Sequence, residues 1–181
     1  MRAETVANYQ YDEAHVHPMA EIRIRKRKRM RSKEVKALAD ELTSVLQVPV
    51  FSEDDPVDLA EGPDFNLIFV GNDILGLIYE DKPFLTVRGL QKYRPERRYV
   101  TVDMGAVRFV TNGADVMGPG ITEADDGISV GDRVWIRDEK NRVPLAVGVA
   151  LRDTDGIRSK EKGKAIQMLH FVGDKLWKAG E

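Results

Sequence analysis

The chain of 181 residues contains no cysteine. Disulfides, thiolate metal sites and a cysteine nucleophile are thereby excluded together, while the compartment is left open. No apolar run approaches the length that crosses a bilayer, and the N-terminus has no signal-peptide core, so a cytoplasmic protein without membrane contact is the expectation. Histidine is down to three residues. His15 and His17 alternate so that both rings would face one side of a strand, but no third ligand lies nearby, and no metal is expected. His170, between Leu169 and Phe171, reads as a structural residue of a strand. There is no glycine-rich phosphate loop ahead of a helix, no dinucleotide fingerprint and no paired histidine-carboxylate constellation. The expectation is therefore no cofactor, no catalytic residue and no enzyme. Aromatic residues make up 7% of the chain, and Trp135 and Trp177 have core-like neighbours, so no stacking platform is evident.

What is present is a segregation of charge that the formal net value of −2 conceals. Arg23, Arg25, Lys26, Arg27, Lys28, Arg29, Arg31, Lys33 and Lys36 crowd one stretch, and Glu53, Asp54, Asp55, Asp58, Glu61 and Asp64 crowd what reads as the next loop. The basic stretch, with Arg25, Arg27 and Arg29 as its candidate contacts, has two readings. It would neutralise RNA phosphates and make binding fall steeply with salt, or it would pair with the acidic loop.

The length suits two small domains. Residues 1–18 read as a flexible extension closed by Pro18, with Met19 a candidate start. Residues 19–94 read as an α/β domain. Ile22 and Ile24 alternate with Arg23 and Arg25, as in a strand with one core face. Ser32 is placed to cap a helix from Lys33 to Gln47, whose Val35, Leu38, Ala39, Leu42, Val45 and Leu46 fall at helical spacing. Phe65–Val70, Ile74–Tyr79 and Pro83–Val87 read as successive strands of a small antiparallel sheet, and Gln91–Arg98 as the junction. Residues 95–181 form the second domain.

The most informative stretch runs from Val100 to Ile121. Tyr99 to Val102 suits a half-buried strand. Asp103 is a helix cap, Val107 and Val110 give the helix an apolar edge with Phe109 beside them, and Asn112-Gly113 ends it. Ala114 and Gly118-Pro119-Gly120 leave so little side-chain bulk that another backbone could approach closely, either a neighbouring strand or a nucleic acid.

That segment resembles the signature of the PUA domain, the RNA-binding module named for pseudouridine synthases and archaeosine transglycosylases. The likeness continues in order through Gly131-Asp132-Arg133-Val134-Trp135-Ile136, Ala146-Val147-Gly148-Val149-Ala150, Lys162-Gly163-Lys164-Ala165, Leu169-His170-Phe171 and Gly173-Asp174-Lys175-Leu176-Trp177. A small α/β domain ahead of it resembles the family of the malignant T-cell-amplified-sequence protein and ligatin, above all its single-chain archaeal members. The resemblance implies an α+β fold, a small N-terminal α/β pre-PUA domain followed by a C-terminal PUA β-barrel. It also implies a monomeric RNA-binding translation factor that contacts tRNA or rRNA on the small ribosomal subunit during initiation, reinitiation or recycling. The alternative is a free-standing RNA-binding accessory to a tRNA or rRNA modification enzyme.

Carried over to this chain, the resemblance assigns RNA contact to Arg108, Thr111, Asn112, Gly113, Ala114 and Asp115, with Met117, Pro119 and Gly120 shaping the strand beside them. The amides of residues 112–114 are expected to donate to phosphate or ribose oxygens, and Asp115 either to accept from RNA or to hold the turn. Bulk added at Gly113 is expected to disturb RNA binding and spare the fold. Gly118 departs from the family, which often has alanine or cysteine before Pro-Gly. Lys160, Lys162 and Lys164 line a phosphate-facing edge or a solvated loop.

Overall fold

A computed structural model describes residues 22–181; the proposed extension, His15, His17 and Met19 lie outside the described residues. The first half is one sheet with strands in sequence order: β1 (Arg25–Arg29), β2 (Val57–Glu61), β3 (Asn66–Val70), β4 (Asp73–Tyr79) and β5 (Lys82–Leu85), each antiparallel to the next. Helix α1 (Ser32–Leu46) follows β1. It buries Val35, Leu38, Ala39, Leu42 and Leu46 in the core that also holds Leu67, Ile68, Leu77 and Phe84. That stripe is the apolar period read from the sequence, now facing a sheet.

Four local expectations are corrected here. Ile22 and Ile24 precede β1 and are half-buried, whereas all five β1 residues are exposed. The pairing of β1 with β2 shifts between Arg25 and Lys28, where Lys26 has φ of 51°, which breaks the simple in-out alternation. Arg31, not Ser32, is the N-cap of α1, and the Glu34 carboxylate accepts from the Arg31 amide at 3.1 Å. The acidic loop contains β2, a strand whose Val57 and Ala60 are core residues. The last strand ends at Leu85, because the Thr86 hydroxyl accepts from the Gly89 amide and caps α2 (Val87–Tyr93), so the junction opens with the end of a helix.

The second half is a six-stranded curled sheet formed by β6 (Tyr99–Val102), β7 (Val116–Met117), β8 (Ile121–Ala124), β9 (Arg133–Asp138), β10 (Pro144–Ala150) and β11 (Lys164–Phe171). The order is β7-β11-β10-β9-β6-β8, with β6 and β9 parallel and every other pair antiparallel. Helices α3 (Met104–Val110), α4 (Thr154–Arg158) and α5 (Lys175–Ala179) fill the connections and the C-terminal end. This is the α+β arrangement expected, a small α/β unit followed by a β-barrel-like one.

The two halves share a core. Trp135, Val147 and Leu176 belong to the cluster that contains the first sheet, and Trp135 Nε1 donates to the Arg97 carbonyl at 2.7 Å. His170 is 1% exposed. Its Nε2 accepts from the Val87 amide at 3.1 Å, which leaves Nδ1 to donate to Asp174 at 2.8 Å, so one ring ties α2 to β11 and the cap of α5. Arg88 donates to the Trp177 carbonyl and its guanidinium lies 3.9 Å from that ring, reinforcing the same joint.

Candidate nucleic-acid interface

Helix α3 begins where the Asp103 carboxylate accepts from the Ala106 amide at 2.8 Å. Val107 and Val110 turn into the barrel core, and this fixes the rest of the short helix. Phe109 lies off that apolar edge, 53% exposed, beside the exposed Arg108, whose guanidinium is 4.8 Å from its ring. Met104 and Met117 are also exposed, so three of the five exposed large apolar side chains among the described residues gather around α3 and β7. Phe109, Ala106, Val110, Met117, Pro119 and Lys164 line a groove of about 550 Å³ between them. In the sequence Phe109 stands beside Val107 and Val110 and no stacking platform is evident; an exposed aromatic with apolar walls is what the fold presents. At 100° per residue Phe109 does not fall on the Val107–Val110 stripe, and that offset was the available signal.

The loop after α3 is more committed than expected. Asn112 N donates to Phe109 O at 3.2 Å, Gly113 N to Val110 O at 3.0 Å and Ala114 N to Phe109 O at 3.0 Å. The three amides expected to meet RNA instead satisfy the open carbonyls of the helix end. Thr111 is buried, its hydroxyl donating to the Val107 carbonyl at 3.0 Å. Gly113 has φ of 87°, and a Cβ there would lie 2.7 Å from the Phe171 ring, so bulk at this position strikes the fold as well as any ligand. Asp115 holds the turn. It accepts from the Met168 amide at 2.8 Å and pairs with Lys164 at 3.0 Å, and these partners, the amide foremost, keep its carboxyl below the ordinary range against the opposing effect of burial.

Gly118 is explained by packing. Its amide donates to the Gly163 carbonyl, and any Cβ would overlap the Glu161 carbonyl oxygen, so the β10–β11 connection lies directly on the Gly118-Pro119-Gly120 turn. Arg152 pins that connection by donating to the Glu161 and Lys162 carbonyls at 3.0 Å each. Lys160 and Lys162 are exposed, and neither forms an ion pair among the described residues. Pro119 and Gly120 remain accessible on the groove wall.

The basic strand β1 lies in the other sheet. Arg27 and Arg29 clamp Asp58 through their Nε atoms at 2.7 and 2.5 Å, and Arg27 lies 4.0 Å over Phe69. The second of the two readings, pairing with the acidic segment, accounts for these two cations. Arg25 and Lys28 have no ion pair among the described residues and stay exposed. No group of three or more potential metal ligands occurs among the described residues, and no helix there is long and apolar enough to cross a membrane.

Comparison with known proteins joins this geometry to a family. The PUA domain model matches residues 98–172. An uncharacterized protein of Methanocaldococcus jannaschii is 38% identical over 156 residues, 85% of this chain and 96% of its own length. Malignant T-cell-amplified sequence 1 of Rattus norvegicus is 30% identical over 133 residues, 71% of this chain and 73% of its own. The chain belongs to this PUA-domain family. Translation machinery-associated protein 20 of Saccharomyces cerevisiae, 32% identical, aligns over 61% of this chain and 65% of its own length. Among solved structures, a hypothetical protein of Pyrococcus horikoshii OT3 superposes with a TM-score of 0.75 at 31% identity, covering 86% of this chain and all (100%) of that one. Residues 104–120, which carry most of the groove, lie within the PUA match, so the exposed Met104, Phe109 and Met117 fall inside the RNA-binding module of the family.

Proposed function

We propose that this protein is a translation factor of archaeal type that holds an unpaired RNA end, that of a tRNA acceptor arm, in the α3–β7 groove while the N-terminal sheet faces the small ribosomal subunit. The observation that carries the reading is the exposed Phe109, walled by Met117 and Pro119 and edged by Arg108 and Lys164. A base has a flat apolar face and a charged backbone, and the groove offers a flat apolar ring with cations at its rim. Because the amides of residues 112–114 are occupied, contact to ribose and phosphate falls to Arg108, Lys162 and Lys164, with Lys164 released from Asp115 as it engages. The protein acts in the cytoplasm as a monomer and without catalysis, its domains dividing near residue 95. Arg25 and Lys28, which pair with no carboxylate among the described residues, supply the salt-sensitive contact to ribosomal RNA.

The test is affinity for a stem-loop ending in unpaired 3′ nucleotides, measured by fluorescence anisotropy, for the wild type and for Phe109→Ala with Met117→Ala. Stacking is worth about 1–3 kcal/mol per base, so binding should weaken by roughly one to two orders of magnitude. Both side chains are about half exposed, so the melting temperature should stay put. Equal affinity of the double variant, or equal binding of a blunt stem, removes the groove from RNA recognition.

A further inference from the structure

A second hollow lies on the same barrel. Tyr99, Thr122, Glu123, Arg158 and Lys160 line a cleft of about 370 Å³ between β6–β8 and the end of α4. Gly120 belongs to the groove and Ile121 to the cleft, so the two meet at the start of β8. Nothing in the groove reading requires this cleft.

Its walls are held from behind by a buried cation. Arg137 is 7% exposed; its Nε donates to Thr101 Oγ1 at 2.9 Å, its other end reaches Glu123 Oε2 at 3.4 Å, and its guanidinium stacks 3.8 Å from the Tyr99 ring centroid. Thr101 Oγ1 in turn donates to Glu123 Oε2 at 3.1 Å. Burying a guanidinium is unfavourable unless it is well paired, and here desolvation pushes its pKa down. The pairing it obtains fixes Tyr99 and Glu123 as two adjoining faces of the cleft.

The charges are divided. Glu123 Oε2 is occupied by Thr101 and Arg137, whereas among the described residues Oε1 has only Arg142 at 3.7 Å, leaving a carboxylate oxygen able to accept. At the opposite side Arg158 is steadied by the Ala124 carbonyl and Asp126 at 2.8 and 2.7 Å. Lys160 pairs with no described carboxylate, and at φ of 55° it occupies a left-handed position that lysine seldom takes. A bare anion would meet the cations but be repelled by Glu123. A ligand with an anion at one end and neutral hydroxyl donors at the other satisfies both.

We propose that this cleft binds a ribonucleotide unit, its phosphate on Lys160 and Arg158, its ribose hydroxyls on Glu123, and its sugar or base against Tyr99. The unit comes from a free mononucleotide or from a stretch of bound RNA, and the recognition chemistry is the same.

The experiment is titration of the full ¹⁵N-labelled chain, following the amides of Thr122, Glu123 and Lys160. Adenosine 5′-monophosphate, its 2′-deoxy form, inorganic phosphate and a single-stranded RNA hexamer serve as probes. Supporting results are shifts at these amides with the mononucleotide, which names a free ligand, or with the hexamer alone, which names a strand. In either case Lys160→Ala should weaken binding about tenfold, as expected for one charge-assisted contact, and Lys160→Arg should restore most of it. Glu123→Gln should abolish the preference for ribose over deoxyribose. Silence of these amides with every probe, or inorganic phosphate binding as well as the mononucleotide, overturns the proposal. RNA shifts at Ala106 and Phe109 without shifts here defeat the cleft and leave the groove standing; shifts here alone do the reverse.

Discussion

Replacing Asp58 by Asn isolates the clamp that holds the basic strand. The Asp58 side chain is 10% exposed, its carboxylate 2.7 Å from Arg27 Nε and 2.5 Å from Arg29 Nε. The Arg29 hydrogen bond foremost, with that of Arg27, keeps its carboxyl below the ordinary 3.8, against burial, which acts the other way. Asn preserves the shape and removes the charge. Two charged hydrogen bonds at about 1.5–3 kcal/mol each would set the loss, but the arginine side chains are 38% and 65% exposed, and solvent screening reduces it to about 2 kcal/mol. For a chain of this length that lowers the melting temperature by roughly 4–8 °C at neutral pH. The sign with pH follows from the depressed folded-state value. The contribution is present in full above the unfolded carboxyl's range and disappears as pH falls through the folded one, so wild type and variant should converge below about pH 4. Thermal melts of both proteins across that range are the assay, read together with the salt dependence of RNA binding. The freed arginines should steepen the slope by about 0.7 for each extra phosphate they engage. A gap that is absent, or that stays constant with pH, refutes the clamp.

Gly118→Ala should lower stability by about 1–3 kcal/mol, because the new methyl overlaps the Glu161 carbonyl oxygen and displaces the connection resting on the turn; an unchanged urea midpoint would contradict this. His170→Phe leaves the Val87 amide without an acceptor and removes one of the two donors to Asp174 Oδ2, in a joint between the two sheets. A loss of about 2–4 kcal/mol is expected, with faster amide exchange in α2, and unaltered exchange there would show that the ring does not couple the halves.

Much of the fold was legible because local signals agreed with tertiary needs. The apolar spacing of α1, the Asp103 cap and the strand runs of the second half all survive in the structure. Strand β2 was hidden in Val57-Asp58-Leu59-Ala60-Glu61, where alternation was present but acidic residues argued for a loop; only the arginines of β1 make Asp58 at home in a sheet. Helix α2 was hidden because seven residues with a central Gly89 carry little helical preference, and its place is set by packing on β4. The internal bonding of the proposed segment was not legible in the sequence. Where the amides of residues 112–114 donate depends on how the helix ends, and whether Phe109 faces in or out depends on which neighbours fill the barrel.

The central claim, that RNA lies against α3 and β7, is tested most directly by photocrosslinking in cells, identifying both the crosslinked residues and the attached RNA. Crosslinks at residues 104–120 carrying tRNA 3′ ends, with the protein sedimenting beside the small ribosomal subunit, are the expected result. Crosslinks confined to other surfaces, or no enriched RNA, would contradict it.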